Sequence, residues 1–143
     1  MSLHGSYDTD NIFAKIVRGE IPAVKVFEDD QVLAFMDVFP QSRGHVLVIS
    51  KTSQARNILE AETKTLGRLI GAVQKVTQAV TTALKPDGVV VTQFNGASAG
   101  QTVFHLHFHI IPRYDGEALG RHGEGMADVE DLKAVAEKIS AAL

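Results

Sequence analysis

Residues 103–111 read Val-Phe-His-Leu-His-Phe-His-Ile-Ile, and they are the most informative segment of the sequence for both the fold and the function. Successive side chains of a strand point to opposite faces of a sheet, so a strand over these residues has two different faces. One face carries large apolar side chains and is expected to pack on a hydrophobic core. The other face carries His105, His107 and His109, which must face something polar.

Three uses of this histidine face are open from the residues alone: a solvated strand face, a metal site, or a nucleophilic or acid–base centre. Neighbouring histidines lie about 6.6 Å apart along a strand and the outer two about 13 Å, whereas Zn–N bonds are about 2.0–2.1 Å. One ion can therefore bind a pair of the histidines but not easily all three. Such a pair would need further ligands, for which Asp37 and His45 are the candidates.

A nucleophilic centre fits the middle histidine, His107. A neutral imidazole has one N–H and one acceptor nitrogen, so a backbone carbonyl that holds the N–H leaves the other nitrogen able to attack. The flanking histidines can then donate to an anion such as phosphate. A loop of small residues, Asn95–Gln101 (NGASAGQ), lies directly upstream and adds backbone N–H groups for that anion. The candidate phosphate contacts are Asn95, Gly100, Gln101, Thr102 and His109.

Composition excludes several classes of protein. The 143 residues are enough for one domain, and 45% are hydrophobic. Fourteen basic and seventeen acidic residues give a net charge of −3, so nucleic acid is not an expected partner. No apolar run is long enough to span a membrane, and the absence of cysteine excludes disulfides and thiolate-bound metal. The polar first ten residues lack a signal-peptide pattern, so we expect a cytoplasmic location.

The remaining hydrophobic pattern predicts an α+β fold with a five-stranded, mainly antiparallel sheet. One long helix covers a face of the sheet, and a short helix and a terminal helix lie near the two ends of the chain. The expected elements are a helix from Asn11 to Gly19, strands at Val24–Phe27, Val32–Met36, His45–Ile49, Val89–Phe94 and Val103–Ile111, a long helix at Glu60–Leu84, and a terminal helix at Asp128–Leu143.

The histidine segment resembles the His-φ-His-φ-His-φ-φ motif of the histidine triad (HIT) family, in which φ is an apolar residue. Other segments resemble the Hint-like branch of that family in the same order: IFAKI at 12–16, GEIPA at 19–23, FEDD at 27–30, AFMD at 34–37, PQ at 40–41, GHVLVI at 44–49, NG at 95–96 and AGQTV at 99–103. The resemblance covers residues 11–113. It divides the chain into a flexible arm at 1–10, a HIT domain at 11–113, and a glycine-rich loop and helix at 114–143.

The resemblance implies a nucleotide hydrolase or transferase that cleaves the bond between an α-phosphate and its leaving group, typically in a purine nucleoside phosphoramidate. It makes His107 the nucleophile, which forms a covalent nucleotidyl-histidine. It places His109 and the segment with Gln101 and Thr102 on phosphate oxygens. His105 supports the triad and orients His107 through its carbonyl, and His45 lies near the phosphate and the leaving group.

The same resemblance assigns the rest of the nucleotide pocket. Asp37 matches a ribose-binding acid, and no metal or other cofactor is needed. A homodimer with a joined ten-stranded sheet is the expected assembly. A nucleotide-binding regulatory module with little turnover is the alternative function. The positions that match the walls of the base pocket are Ile12, Phe13, Ile16, Phe35 and Val38.

Two features depart from the family pattern. Some bacterial relatives hold a structural zinc with an early Cys-x-x-Cys, a downstream histidine and the first triad histidine. Here Asn11 and Ala14 occupy the cysteine positions and Lys51–Gln54 lacks the histidine, so we expect no such zinc site. The C-terminal segment has no confident match. Arg121 and His122 within it either close over a substrate or belong to a solvated linker, which is the expected reading.

Overall fold

A computed structural model describes residues 2–120 and 125–143, so Arg121 and His122 lie outside the described residues. The predicted α+β fold and its five-stranded sheet are confirmed. The strands follow the order β1-β2-β3-β5-β4, and every neighbouring pair is antiparallel. The elements are α1 (Ile12–Val17), β1 (Lys25–Glu28), β2 (Val32–Met36), β3 (Val46–Ser50), α2 (Thr63–Leu84), β4 (Gly88–Thr92), a short 3₁₀ helix (Ala97–Ala99), β5 (His107–Arg113) and α3 (Val129–Ala141).

The central strands β2 and β3 are buried on both faces, which divides the core into two parts. Alternate side chains of these strands pack against α2 and α3 on one face. The intervening side chains pack on the other face against α1, which contributes Phe13 and Ile16. Because α1 is short, this second face is only partly covered, and the histidine side of β5 lies on it.

The structure corrects the predicted fifth strand at both ends. β5 begins at His107 and not at Val103, so His105 precedes the strand. The ladder with β3 ends at the pair Ile49–His107, and Leu106 N–H instead donates to Ala55 O at 3.0 Å. Pro112 lies inside the strand, because beyond Ile110 this strand pairs only with β4 and the missing N–H costs no bond to β3.

Other boundaries also differ from the prediction. β1 and β3 each begin and end one residue later than predicted, and α3 ends at Ala141. The long helix begins at Thr63 rather than Glu60, since Glu62 takes the extended backbone of the residue that precedes a helix. The fourth strand covers Gly88–Thr92 rather than Val89–Phe94. In the described ranges, no helix is long and apolar enough to cross a membrane.

The N-terminal segment, residues 2–10, lies against the domain instead of extending away as a loose arm. Ser2 Oγ accepts from Ala97 N–H at 2.7 Å, and Leu3 O accepts from the Asn57 amide at 2.8 Å. The Tyr7 hydroxyl is 2.7 Å from His105 Nδ1. The segment therefore packs on the loops that precede the histidine strand.

Candidate active site

A cavity of about 280 Å³ opens on the face of the sheet that α1 covers only in part. Most of its lining is apolar and comes from α1, the residues after it, and β2. Its polar lining groups are Asp37, Thr102, His107 and His109. An apolar cleft with a few converging polar groups is the usual form of a small-molecule site.

Helix α1 forms the apolar wall because its first turn is capped. Asn11 Oδ1 accepts from the backbone N–H groups of Phe13 and Ala14, each at 3.0 Å, and satisfies two donors that a helix start leaves unpaired. The Phe13 ring packs edge-on against Phe35, with 5.5 Å between centroids. The cavity brings together all five residues predicted for the base pocket: Ile12, Phe13, Ile16, Phe35 and Val38.

His107 is buried at the floor of the cavity, and its backbone neighbour fixes its tautomer. His107 Nδ1 lies 2.7 Å from His105 O. A carbonyl oxygen only accepts, so Nδ1 carries the proton and Nε2 carries the lone pair. The Phe13 ring meets the imidazole edge-on at a centroid distance of 4.9 Å and limits its rotation. This arrangement gives His107 the form of a nitrogen nucleophile.

The side chain of His105 is fixed by a hydrogen bond at each ring nitrogen, and this helps to fix the carbonyl of the same residue. Its Nε2 lies 3.0 Å from Ser50 O, and its Nδ1 lies 2.7 Å from the Tyr7 hydroxyl. Burial lowers the pKa of His105 to about 4, against the opposing effect of the Ser50 carbonyl, and nearby His107 lowers it further. The ring is therefore neutral at physiological pH.

The tautomer of His109 follows from a chain of hydrogen bonds that starts at Gln41. Gln41 N–H donates to His45 Nδ1 at 3.1 Å, so the proton of a neutral His45 is on Nε2. That nitrogen lies 2.9 Å from His109 Nδ1 and 3.5 Å from Asp37 Oδ2. His109 Nδ1 then accepts, and its Nε2–H becomes a donor for an anion. The rings of His107 and His109 lie 5.0 Å apart, so a lone pair and a donor are neighbours.

Asp37, His45 and His109 are close enough together to be considered as metal ligands. For His45 to bind an ion through Nε2, its proton would have to move to Nδ1, where it would face the Gln41 N–H. Two donors would then point at each other, which is unfavourable in a buried site. The donor set therefore fits a hydrogen-bonded relay better than a metal site.

The residues at the positions that bind zinc in some relatives have other roles in this chain. Asn11 caps α1, and Ala14 is buried in the same helix. Each ring nitrogen of His105 has its own hydrogen-bond partner: Nδ1 is bonded to Tyr7, and Nε2 is bonded to Ser50 O.

The predicted phosphate residues fall into two groups. Thr102 and His109 line the cavity. Gln101 is buried with its amide on backbone groups, accepting from Gly96 N–H at 2.8 Å and donating to Arg56 O at 2.7 Å. The other two residues of the set shape the same loop: Asn95 accepts from Ile58 N–H, and Gly100 has a φ of +107°. Gln101 and Asn95 therefore hold the loop and do not reach into the cavity.

Sequence reasoning missed three residues that organise the site: Tyr7, Gln41 and Ser50. Gln41 and Ser50 act through backbone atoms, which leave no side-chain signal in a sequence. Tyr7 is one of only two tyrosines and stands alone in a polar segment, and this was a usable signal.

The antiparallel sheet and the paired histidines of β5 are those of the histidine triad class. A family model described as the HIT domain matches residues 18–116, and the chain belongs to the HIT family. A crystal structure of a Hit-like protein involved in cell-cycle regulation from Bartonella henselae superposes with a TM-score of 0.92 at 52% identity, covering 97% of this chain and 100% of that one.

Two curated relatives carry names that describe an activity. The adenosine 5'-monophosphoramidase hnt1 of Schizosaccharomyces pombe is 40% identical over 135 residues, which are 90% of this chain and 95% of that protein. The adenylylsulfatase HINT3 of Arabidopsis thaliana is 37% identical over 110 residues, 77% of this chain and 55% of that protein. The HIT family therefore includes hydrolases of AMP derivatives.

Proposed function

We propose that this chain hydrolyses the bond between the α-phosphate of a purine nucleotide and its leaving group, through a covalent intermediate on His107. The observation that carries the proposal is the 2.7 Å contact between His107 Nδ1 and His105 O. It leaves the lone pair on Nε2, at the floor of an apolar cavity whose few polar groups suit a nucleoside. The Nε2–H of His109 beside it is a donor for a phosphate oxygen.

The reaction divides into two displacements at phosphorus. In the first, His107 Nε2 forms a bond to the α-phosphorus, and the bond from phosphorus to the leaving group breaks. The leaving group takes the electron pair of that bond and a proton from water. In the second, water attacks the same phosphorus, loses a proton, and displaces His107 with its lone pair restored.

The cavity supports a purine nucleoside as the bound part of the substrate. Its apolar walls suit a flat aromatic base, with Phe13 and Phe35 available for ring contacts. Asp37 stands at the polar end, where a carboxylate accepts from both ribose hydroxyls. Its Oδ1 is held by Phe39 N–H at 2.8 Å, which fixes the direction of the second oxygen. The names of the two relatives point to an amine or a sulfate as the leaving group.

The test compares His107→Ala with the wild-type chain on adenosine 5'-phosphoramidate. We expect AMP release to fall at least about a thousandfold, because the nucleophile is removed, while the Kd for AMP stays within a fewfold. His4→Ala is the matched control, since His4 is exposed in the N-terminal segment. Unchanged turnover in His107→Ala would overturn the proposal.

The alternative function is nucleotide binding without turnover. Quenching the wild-type reaction in alkaline denaturant during its first turnover separates the two functions, because the P–N bond of a nucleotidyl-histidine is labile in acid and stable in base. We expect a nucleotidyl adduct that peptide mass spectrometry assigns to His107. AMP binding without adduct or AMP release would favour the binding module.

The proposed assembly is a homodimer that joins two sheets into ten strands. β4 is an edge of the sheet, and its Val90 and Val91 are 40% and 45% exposed. Exposed apolar edge strands tend to pair with another chain. We expect sedimentation velocity to give a dimer, and Val90→Lys to shift it toward monomer. The control Val129→Lys, at an exposed position of α3, should stay dimeric, and a monomeric wild-type chain would contradict the assembly.

A further inference from the structure

His105 lies outside the sheet, although its carbonyl sets the tautomer of the proposed nucleophile. The ladder between β3 and β5 begins two residues later, at His107. The peptide group that carries the His105 carbonyl is anchored on its N–H side, where Leu106 N–H donates to Ala55 O at 3.0 Å, and two residues earlier Val103 O accepts from the Gln101 amide at 3.1 Å. The His105 side chain is a second anchor for the position of this carbonyl, because both of its ring nitrogens are hydrogen-bonded.

Two hydrogen bonds anchor that side chain, and their directions follow from the chemistry of the partners. Ser50 O only accepts, so His105 Nε2, 3.0 Å away, carries the proton. In a neutral ring Nδ1 then accepts, and the Tyr7 hydroxyl at 2.7 Å is the donor. The lowered pKa of His105 agrees with a neutral ring that has one donor and one acceptor nitrogen.

The Tyr7 hydroxyl is held in place by the N-terminal segment. Ser2 and Leu3 are fixed by their bonds to Ala97 and Asn57, and the Tyr7 ring packs against His105 with 5.7 Å between centroids. Tyr7 is half-buried and, with His105, lines a second pocket, whereas the cavity that His107 lines does not include Tyr7.

We propose that Tyr7 is a positioning residue for His107, and that it acts through His105. The hydroxyl fixes the His105 ring, the ring fixes its own carbonyl, and the carbonyl holds the proton on His107 Nδ1. This inference rests on the proposed role of His107 as nucleophile. Without the hydroxyl the carbonyl is less well fixed, so a fraction of His107 takes the other tautomer. In that tautomer Nε2 carries the proton and has no lone pair with which to attack phosphorus.

The kinetic test is Tyr7→Phe, which removes one oxygen and keeps the ring. We expect the single-turnover rate of adduct formation on His107 to fall about tenfold, the equivalent of one hydrogen bond at about 1.4 kcal/mol. The Kd for AMP should not change, because Tyr7 does not touch the cavity. Tyr114→Phe is the matched control. It removes the hydroxyl of the other tyrosine, which donates to Arg43 O at 2.8 Å, and its rate should equal that of the wild type.

A spectroscopic readout separates this inference from the proposed function. Nitrogen-15 shifts of the histidine rings report the tautomer of His107 whether or not the chain turns over substrate. We expect the Nδ1–H form in the wild type and a mixture with the Nε2–H form in Tyr7→Phe. An unchanged tautomer in the variant, or an adduct rate within twofold of the wild type, overturns the role of Tyr7. If the wild type forms no adduct on His107 but Tyr7→Phe still shifts the tautomer, the proposed function is overturned and the role of Tyr7 stands.

Discussion

The neutral state of His105 makes the stability of this chain depend on pH in a way that one substitution can isolate. The pKa of His105 is lowered to about 4 by burial, and the usual value in an unfolded chain is about 6.5. Between these two values the unfolded chain binds a proton that the folded chain does not. Stability from this residue is therefore fully present above about pH 6.5 and is lost as the pH falls toward 4.

The size of the loss follows from the two pKa values. Each unit of difference corresponds to about 1.4 kcal/mol, so the full difference is about 3 kcal/mol. Linkage over the range from about pH 7 to about pH 5 gives a loss of about 2 kcal/mol from His105 alone. His105 is 3% exposed, so solvent screening does not reduce this value much.

The measurement is the free energy of unfolding in guanidinium chloride at about pH 7 and about pH 5, for the wild type and for His105→Gln. Glutamine has an amide donor for Ser50 O and an oxygen that accepts from Tyr7, but it does not titrate. Protein concentration is kept constant, because an oligomer adds a concentration term. We expect the wild type to lose about 2 kcal/mol more than the variant on acidification. Equal losses would refute the assignment of a buried, neutral His105.

Three further predictions concern the cavity and its supports. Asn11→Ala should lower stability by about 1 kcal/mol and raise KM for the nucleotide, because the cap fixes the helix that walls the cavity. Asp128→Ala, at the cap of α3, should cost about the same with KM unchanged. Asp37→Asn should lower kcat/KM more for a ribonucleotide than for the 2'-deoxy analogue, so the ratio of the two values falls about tenfold, measured by AMP and dAMP release, while a loss common to both reports the contact of Asp37 with His45. Gly44→Ala should lower the free energy of unfolding by about 2 kcal/mol, since φ is +93° and the new methyl meets Leu84, and an unchanged midpoint would contradict this.

The sequence predicted the elements of the fold well, because hydrophobic period is a local property. The continuous apolar run at Val32–Met36 and the helical spacing through Leu84 each predict an element that the structure has. The ends of elements were less well predicted. Whether His105 belongs to β5 depends on where β3 ends, and that partner lies more than fifty residues earlier in the chain.

In the candidate site too, the residue types were predictable from the sequence, whereas contacts with residues distant in the chain were not. His107, His109, Asp37 and Thr102 were expected to meet, and they line one cavity. Gln101 was expected on phosphate and instead holds its loop by bonds to backbone groups. A buried amide and a ligand-binding amide look the same in a sequence, since the difference lies in which backbone atoms surround the side chain.

What the sequence by itself determined is the family, the α+β fold and the set of histidines, because these depend on residue type and short-range spacing. Only the tertiary structure decided which nitrogen of each histidine carries the proton. That state depends on the carbonyls of His105 and Ser50 and on the N–H of Gln41, backbone atoms that do not distinguish one side chain from another. It depends as well on Tyr7, which the fold brings to His105 from 98 positions away. The physical reason is that a tautomer is set by the partners of a ring in space, and the chain order does not encode those partners locally.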